Sequence, residues 1–547
     1  MSELVVNRLN NLAGTSEVLV SDLGEVLGDG GSALVGYLPA GTGAVATTVQ
    51  AKLQENKTPY DFGCVGDGIT DDTVNFQAFL NAVTAGDLAI GSYKIGKVTI
   101  PATCKTLRGR GAATVLTAYG TFTAFTPWLF FDGQTDIDVG DFTLNINSTT
   151  YATNHAMQFG ACTRGTVSNI HMIDGGFIAL YAPACRGTVF QNIVVDNFAT
   201  SLFFADVTPS NLVVDKVRSS KAAAGVGIQI KGGGYHIIRD CYVGGAGSSY
   251  FNISLWLAND SLVTGCTVQA TTREGIQITD GSRNKILGNT IICGAGHNDF
   301  GISVFAQTVD IRDNYVSDNI VYLSGNAGIA MAASPGAFNC LYSFITGNVV
   351  VSPYKNPGTP TVASGILLYG GANCTTNIVE NNTCFDEANN MVYGVAEWSG
   401  GGGDPNNNKL IHNSCFGGAV FVSEGLVVGS LSEVYDLTWN TTTPTPTAFS
   451  GSIAGSTAVL KYKRRGRSAE FSIKVVIGTT NTGGGYLIVP SPITIANGCL
   501  VGIDGATGKS LTGSSGGTGL IRLYDYAHLY PSTAISVTHQ ASGTVEI

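Results

Sequence analysis

The sequence predicts an all-β chain built on a parallel β-helix, and three observations carry that prediction. The first is composition. Only 12% of the 547 residues are charged and 72 are glycine, against about 25% charged and about 7% glycine in an average globular domain. Such a chain suits many short strands joined by tight turns better than long solvated helices. The second is a repeat. A glycine followed by a short apolar alternation recurs at Gly227-Ile228-Gln229-Ile230, Gly275-Ile276-Gln277-Ile278, Gly301-Ile302-Ser303-Val304, Gly328-Ile329-Ala330-Met331 and Gly365-Ile366-Leu367-Leu368. The third is the period inside each unit, which is two, the period of a strand. Units spaced roughly 21–37 residues apart in fixed order read as a solenoid.

A second unit follows each of these: Ile286-Leu287-Gly288-Asn289, Ile311-Arg312-Asp313-Asn314, Ile345-Thr346-Gly347-Asn348 and Val379-Glu380-Asn381-Asn382. Their asparagines are expected to stack coil upon coil as an amide ladder. Cys241 and Cys266 take the same place in earlier units, and Asn169 and Asn192 extend the column further back. About ten coils are expected between Met157 and Val422, a rod about 50 Å long at about 4.8 Å per coil. The uneven spacing places extra residues in loops on particular turns, where function concentrates.

Three segments follow from this layout. Residues 1–57 are rich in small residues, end in a helix-like run from Val45 to Glu55, and hold too little for an independent core. They read as an attachment segment. Residues 58–430 hold the β-helix. Near its start Asp71, Asp72 and Thr73 are N-cap candidates, and Phe76, Phe79, Leu80 and Val83 have helical spacing. A capping helix over the open end of the stack is the consequence. Residues 431–547 form the third segment. A Thr/Pro-rich linker at 441–449 precedes alternating runs at Ala458–Tyr462, Ala469–Ile477, Tyr486–Val489, Leu520–Tyr524 and Ala534–Thr538. These predict antiparallel strands in a β-sandwich, and Lys463 to Arg467 looks like a basic hairpin tip.

The run from Asp61 to Thr73, its helix, and Leu88 to Ile95 resemble the entry segment of pectate-lyase-like β-helix proteins, bacteriophage tailspikes and capsular polysaccharide depolymerases above all. Cys64 departs from the alanine usual there. The likeness covers this entry segment directly, and the repeats extend it to the region of Gly425. It implies a right-handed, single-stranded parallel β-helix and a homotrimer. It also implies attachment of the N-terminal segment to a phage tail or baseplate protein, and binding and cleavage of a bacterial surface polysaccharide, capsule or O-antigen. Synthesis in the bacterial cytoplasm and action from the virion at the host surface go with it. The aspartates of the entry motif are expected to be structural.

A formal net charge of −10 argues against nucleic acid, whose binding needs clustered Lys and Arg, and against anionic membrane surfaces. A membrane-spanning helix needs an apolar run of roughly 18 residues or more. No run in the chain is that long, so none is expected. Met1 to Val5 lacks the basic and apolar regions of a secretory leader. The twelve cysteines form no CxxC pairs and no Cys/His cluster at zinc spacing. They are expected to be buried reduced thiols, and neither a metal nor another cofactor is expected.

No local motif settles the chemistry, so candidates come from coil register. Equivalent residues of adjacent coils lie about 4.8 Å apart, and glycosidases need carboxyl pairs about 5–9.5 Å apart. Glu274 directly precedes Gly275, and Asp299 lies two before Gly301 one coil later. They are the leading catalytic pair, one as proton donor and one to activate water. Asp280 ends the strand that Glu274 begins, and Arg273 and His297 flank the pair as substrate-binding candidates. Glu397 falls on an inward register position and forms a second cluster with Trp398 and Asp404. Asp386 and Glu387 form a third, and ordinary solvated turn acids remain the bland reading of each. Trp256, Tyr369, Trp398 and Phe305 occupy outward positions suited to sugar platforms or subunit contacts. Lys231 and Arg312 are outward cations suited to acidic sugars. Hydrolysis by paired carboxylates is the first expectation. A lyase acting by β-elimination and a non-enzymatic glycan-binding adhesin are the alternatives.

Overall fold

The computed structural model describes residues 8–10 and 17–19 and, with short interruptions, 31–417. Beyond these it describes strands between 424 and 546, mostly through their backbone. Thirteen parallel strands form one sheet, beginning with Val98–Ile100, Pro127–Asp132 and His155–Gly160 and ending with Ser364–Tyr369, Tyr393–Trp398 and Glu424–Gly425. Eleven of the strands lie from His155 onward, close to the expected number of coils. Pairing is in register throughout the middle, where Ile253, Ile276, Ile302, Ile329, Ile366 and Val395 form one inward column. Leu255, Ile278, Val304, Met331 and Leu368 form the next, and both columns are fully buried.

The glycine that opens each unit has a steric cause. A Cβ on Gly301 would lie 2.2 Å from Val321 Cγ1, and one on Gly328 would lie 2.2 Å from Val350 Cγ1. Here the first sheet presses on the strand that returns along the opposite wall, and only a hydrogen fits.

In that opposite wall the early coils run as long strands, Thr166–Asp174, Val189–Val195 and Val213–Ser219. Later coils break into pairs such as Lys285–Leu287 with Thr290–Cys293, and Phe344–Thr346 with Val349–Val351. A bend with positive φ recurs at the break or its equivalent: Asp141, Asn169, Asn192, Lys216, Asp240, Gly265, Gly288, Asp318, Gly347, Asn381 and His412. The residue after each bend points inward. It is apolar in Ile170, Ile193 and Val217, a thiol in Cys241 and Cys266, and an amide in Asn289, Asn319, Asn348, Asn382 and Asn413. The amides form the expected ladder, each Nδ2 donating to the next Oδ1 at 2.9 Å.

Two assignments need correction. Asn169 and Asn192 lie at the bend itself, one residue off the ladder. They form a separate exposed chain, Asn192 to Asn169 at 2.7 Å and Asn169 to Asp141 at 2.8 Å. Asn314 belongs to a second interior ladder through Ser261, Asn284, Ser343, Asn377 and Asn408, whose side chains accept from backbone N–H groups one coil away. The first correction is a shift of one residue at the bend, which turns the side chain outward; the second arises because one coil carries two inward-facing corners, and sequence spacing alone does not say which corner an asparagine occupies.

A helix at Thr73–Ala82 buries Phe76, Phe79 and Leu80 over the first coils. Asp72 precedes it, but its carboxylate accepts from the Val65 and Gly66 N–H groups at 2.7 and 3.1 Å instead of capping the helix. Asp67 and Asp71 likewise hold local turns. Ten cysteines have described side chains, all free and buried. After residue 430 the described strands pair with one another antiparallel, among them Glu433–Thr442, Thr457–Gly466 and Ser468–Val476, while Glu433–Thr442 also pairs parallel with Lys409–Ile411. The Thr/Pro segment is partly strand, since Thr441 and Thr442 pair with Lys461 and Leu460. Lys463 to Arg465 lie on a hairpin arm, where Arg465 pairs with Ser468, and Arg467 lies outside the described residues. Ala534 to Val537 and Asp404 lie outside the described residues.

Asn348 has both side-chain atoms engaged in three coils. Asn348→Ala should therefore lower stability by about 3 kcal/mol, because several buried polar groups lose partners at about 1–3 kcal/mol each. Chemical denaturation of the variant beside the parent measures it, and no measurable loss would show the ladder to be idle.

Candidate active site

Glu274 stands two residues before Ile276, at the edge where the chain enters the sheet. Register places Phe251 at the same position one coil earlier and Phe300 one coil later. The carboxyl is 6% exposed. Its Oε1 accepts from Gln277 Nε2 at 3.5 Å, and its Oε2 has no hydrogen-bond partner. Asp299 lies beside it. Arg273 Nε is 3.6 Å from Glu274 Oε2 and 3.4 Å from Asp299 Oδ2, so one guanidinium nitrogen bridges the two carboxyls. The Arg273 guanidinium also packs on the Phe251 ring, 5.4 Å from its centroid.

Burial, and then the neighbouring Asp299 charge, push the Glu274 carboxyl up to about 7. Burial also raises Asp299, but Arg273 and the Phe300 N–H, which donates to its Oδ1 at 3.1 Å, favour its ionised form. Two carboxyls in contact cannot both ionise at ordinary cost. The arrangement leaves a protonated glutamic acid next to an aspartate charge near neutral pH, the state a proton donor needs.

The outer face beside the pair is closely lined. Ser254, Gln277 and Ser303 are consecutive in register and at most 7% exposed although they face away from the core. Ser254 Oγ, Ser303 Oγ and Trp256 Nε1 are buried without hydrogen-bond partners. Buried polar atoms left unpaired cost about 1–3 kcal/mol each, so their collection on one face marks it for a polar ligand or ordered water.

His297 sits behind the pair. It is 1% exposed, and its Nδ1 accepts from the Gly325 N–H at 2.9 Å. Burial lowers its pKa to about 4, so the ring is neutral. Asn326 N–H binds Asp299 O at 3.0 Å, so the segment from His297 to Asp299 is pinned at both ends to the next coil. His297 thus supports Asp299 from within, where the sequence suggested substrate contact.

Asp280 is at the far end of its strand, and its oxygens accept from the N–H groups of Gln307, Thr308 and Val309 and from the Thr308 hydroxyl. That saturation makes it a turn clamp and corrects its place among the catalytic candidates. Glu397 does point inward, paired in register with Leu368. It is 2% exposed and accepts from Asn408 Nδ2 at 2.8 Å, at the end of the second ladder. Four coils separate it from Glu274, about 19 Å, so it does not join the pair. Asp386 is buried and accepts from the Met391 N–H at 2.7 Å. Tyr369 packs with Phe300 and Tyr393 around Leu367 and Ala396. Trp398 pairs in register with Tyr369, and its side chain is outside the described residues. Lys231 Nζ lies 4.5 Å over the Trp256 ring. Phe251, Phe300, Ser254 and Ser303 were missed in the sequence, although counting two residues back from each leading isoleucine finds both phenylalanines. Among the described residues no group of three or more His, Cys, Asp or Glu could hold a metal ion. No described helix is long and apolar enough to cross a membrane.

His297→Ala should loosen Asp299 and bring the Glu274 carboxyl down toward the ordinary carboxylate range, with His297→Gln, which can still accept from Gly325, restoring it. The alkaline limb of a pH–rate profile reads this, and an unmoved limb would place His297 outside the pair's support.

A family model described as the right-handed β-helix region matches residues 210–348. The tail spike protein of Shigella phage Sf6 is 23% identical over 331 residues, which cover 58% of this chain. That match spans about half of the relative's length, 47%. A mutant tailspike of E. coli bacteriophage HK620, solved in complex with a pentasaccharide, superposes with a TM-score of 0.55 at 12% identity, covering 95% of this chain and 99% of that one. The Agl-KA catalytic domain superposes at 0.50 with 12% identity, over 70% of this chain and 68% of that one. In sequence this chain is similar to a phage tail spike, and in fold it is a right-handed parallel β-helix like that of phage tailspikes.

Proposed function

We propose that the chain is a phage tailspike that binds a bacterial surface polysaccharide, capsule or O-antigen, and hydrolyses its glycosidic bonds. The observation that carries the reading is the buried Glu274–Asp299 pair under a shared Arg273. Glu274 protonates the leaving oxygen. Asp299, held ionised by Arg273, activates the attacking water, a role that has the sugar and water seated between the two carboxyls. Arg273, Trp256, Lys231 and Tyr369 line or border the face along which the glycan would lie, and Trp398 pairs in register with Tyr369. Similarity to phage tail spikes supports the substrate class, and no cofactor enters this chemistry.

The chain acts as a homotrimer from the virion, with residues 1–57 joining it to the phage tail. Support for self-association lies on the returning wall. Ile292, Tyr322, Val351, Phe385 and Phe416 stand in one outward column. Four of them are 36–50% exposed, and the last two rings stack at 5.3 Å. An apolar stripe crossing five coils suits burial against a second copy.

Digestion of a panel of purified capsules and O-antigens, with mass spectrometry of the products, tests the activity. Hydrolysis adds one water per bond, whereas an unsaturated product absorbing in the ultraviolet would refute it and favour β-elimination. Binding without release of oligosaccharides would favour an adhesin. Glu274→Gln should cut the rate by about 10²–10⁴-fold.

The rate should fall as pH rises through about 7, where Glu274 loses its proton, and again in acid as Asp299 gains one. Stability gives an independent reading. A carboxyl whose folded pKa is raised costs stability as pH climbs from its unfolded value to its folded one. Glu274→Gln should therefore raise the thermal midpoint more on the alkaline side of that pKa than on the acid side. Sedimentation should show a trimer, and Phe385→Asp with Tyr322→Asp should shift it toward monomer.

A further inference from the structure

The outward face carries a second polar group of residues, which begins near the acid pair at Ser254 and runs away from it along the strands. Gln229 and Lys231 come from one coil, and Ser254 and Trp256 from the next, paired in register. Lys231 Nζ is held over the Trp256 ring, and no carboxylate oxygen among the described residues lies within 4.0 Å of it. Trp256 Nε1, on the ring beneath, is a buried N–H donor with no acceptor among the described residues, and Ser254 Oγ beside it has no partner among them either. Asp206, one residue beyond the Ala205–Ile230 pairing of the preceding coil, is engaged by the Tyr181 hydroxyl at 3.1 Å.

The donor inventory decides the ligand class. An ammonium has three donors and no acceptor, and an indole N–H is a donor only. A neutral sugar hydroxyl both gives and takes hydrogen bonds, and it is usually met by a carboxylate or a carbonyl. A carboxylate only accepts, and a charged acceptor gains most from N–H donors. The charged end of the site is also remote from the chemistry. Lys231 lies two coils before Glu274 and further along the strand, about 10 Å by about 16 Å, with Trp256 and Ser254 in the coil between.

We propose that Lys231, Trp256 and Ser254 form a subsite for an anionic substituent of the glycan, a carboxylate on a sugar several units from the cleaved bond. This deepens the polysaccharide reading and rests on it. A chain with a net charge of −10 repels polyanions at long range, so a cation kept out of ion pairs on the glycan face selects acidic polymers by contact. The subsite supplies binding and register, while the acid pair supplies the chemistry.

The test measures equilibrium binding of bacterial polysaccharides that carry glucuronate, pyruvate ketals or phosphate, each beside its carboxyl-reduced or dephosphorylated form, and of neutral polymers. Parent protein is compared with Lys231→Met and with Trp256→Phe, which keeps a ring under the ammonium but removes the N–H. Thermal midpoints verify that each variant is folded. Carboxylated polymers should bind the parent roughly 10-fold tighter than their reduced forms, the margin of one charge-assisted hydrogen bond, and weaken with salt. That margin should vanish in Lys231→Met and shrink in Trp256→Phe. If phosphorylated polymers alone show the margin, the carboxylate assignment fails. Equal binding of reduced and native polymers, or an unchanged margin in Lys231→Met, overturns the subsite while leaving cleavage intact. If the parent binds no polymer in the panel, glycan recognition itself fails and the subsite with it.

Discussion

Every feature of the β-helix depends on backbone hydrogen bonding between successive parallel coils. Each coil satisfies its N–H and C=O groups against the coils on either side, and this holds neighbours at about 4.8 Å. Side chains at equivalent positions then have no choice but to stack. A residue type that tolerates stacking is rewarded at every coil, and one that does not must occur at an end or a bend. Apolar columns fill the interior for this reason. Glycine recurs where the two walls meet, and left-handed bends recur at the corner of the returning wall.

The corner shows how stacking selects chemistry. Early coils pass it as one long strand and place Ile170, Ile193 and Val217 inside. Later coils break there, and the broken backbone exposes groups that an apolar side chain cannot satisfy. Asparagine answers with a donor to the neighbouring coil's carbonyl and an acceptor for its N–H, as in Asn289, whose Nδ2 reaches Val263 O at 3.0 Å. The two cysteines between the regimes reach carbonyls through their thiols, Cys241 to Val214 O and Cys266 to Ile238 O. Coil by coil, the side chain follows the backbone's unmet hydrogen bonds.

The same constraint builds the acid pair. Stacking places Glu274 in register between Phe251 and Phe300, where it is 6% exposed. The neighbouring column brings Arg273 against Asp299. Neither carboxyl belongs to a recognisable local motif. Their coupling results from the chain closing one full coil between them, which makes residues distant in sequence adjacent in space. His297 then fixes the loop from below through the coil beyond. The site is thus assembled from four successive coils, and its electrostatics depend on burial as much as on charge.

The sequence by itself determined the architecture. Glycine followed by period-two apolar residues, repeated at coil length, left a parallel β-helix as the fold. The helical run at Phe76, Phe79 and Leu80 set its cap, and the pairing of Glu274 with Asp299 could be read by counting from Gly275 and Gly301. Only the tertiary structure decided which corner each asparagine occupies. It also decided that Asp280 is consumed by three backbone N–H groups, that Glu397 is tied to Asn408, and that His297 lies beneath the surface. The reason is physical. Periodicity reports which side of a strand a residue takes, because that depends on neighbours one or two positions away. Burial, hydrogen-bond saturation and pKa depend on what the next coil brings across the gap, and unequal loops hide that partner from any count along the chain.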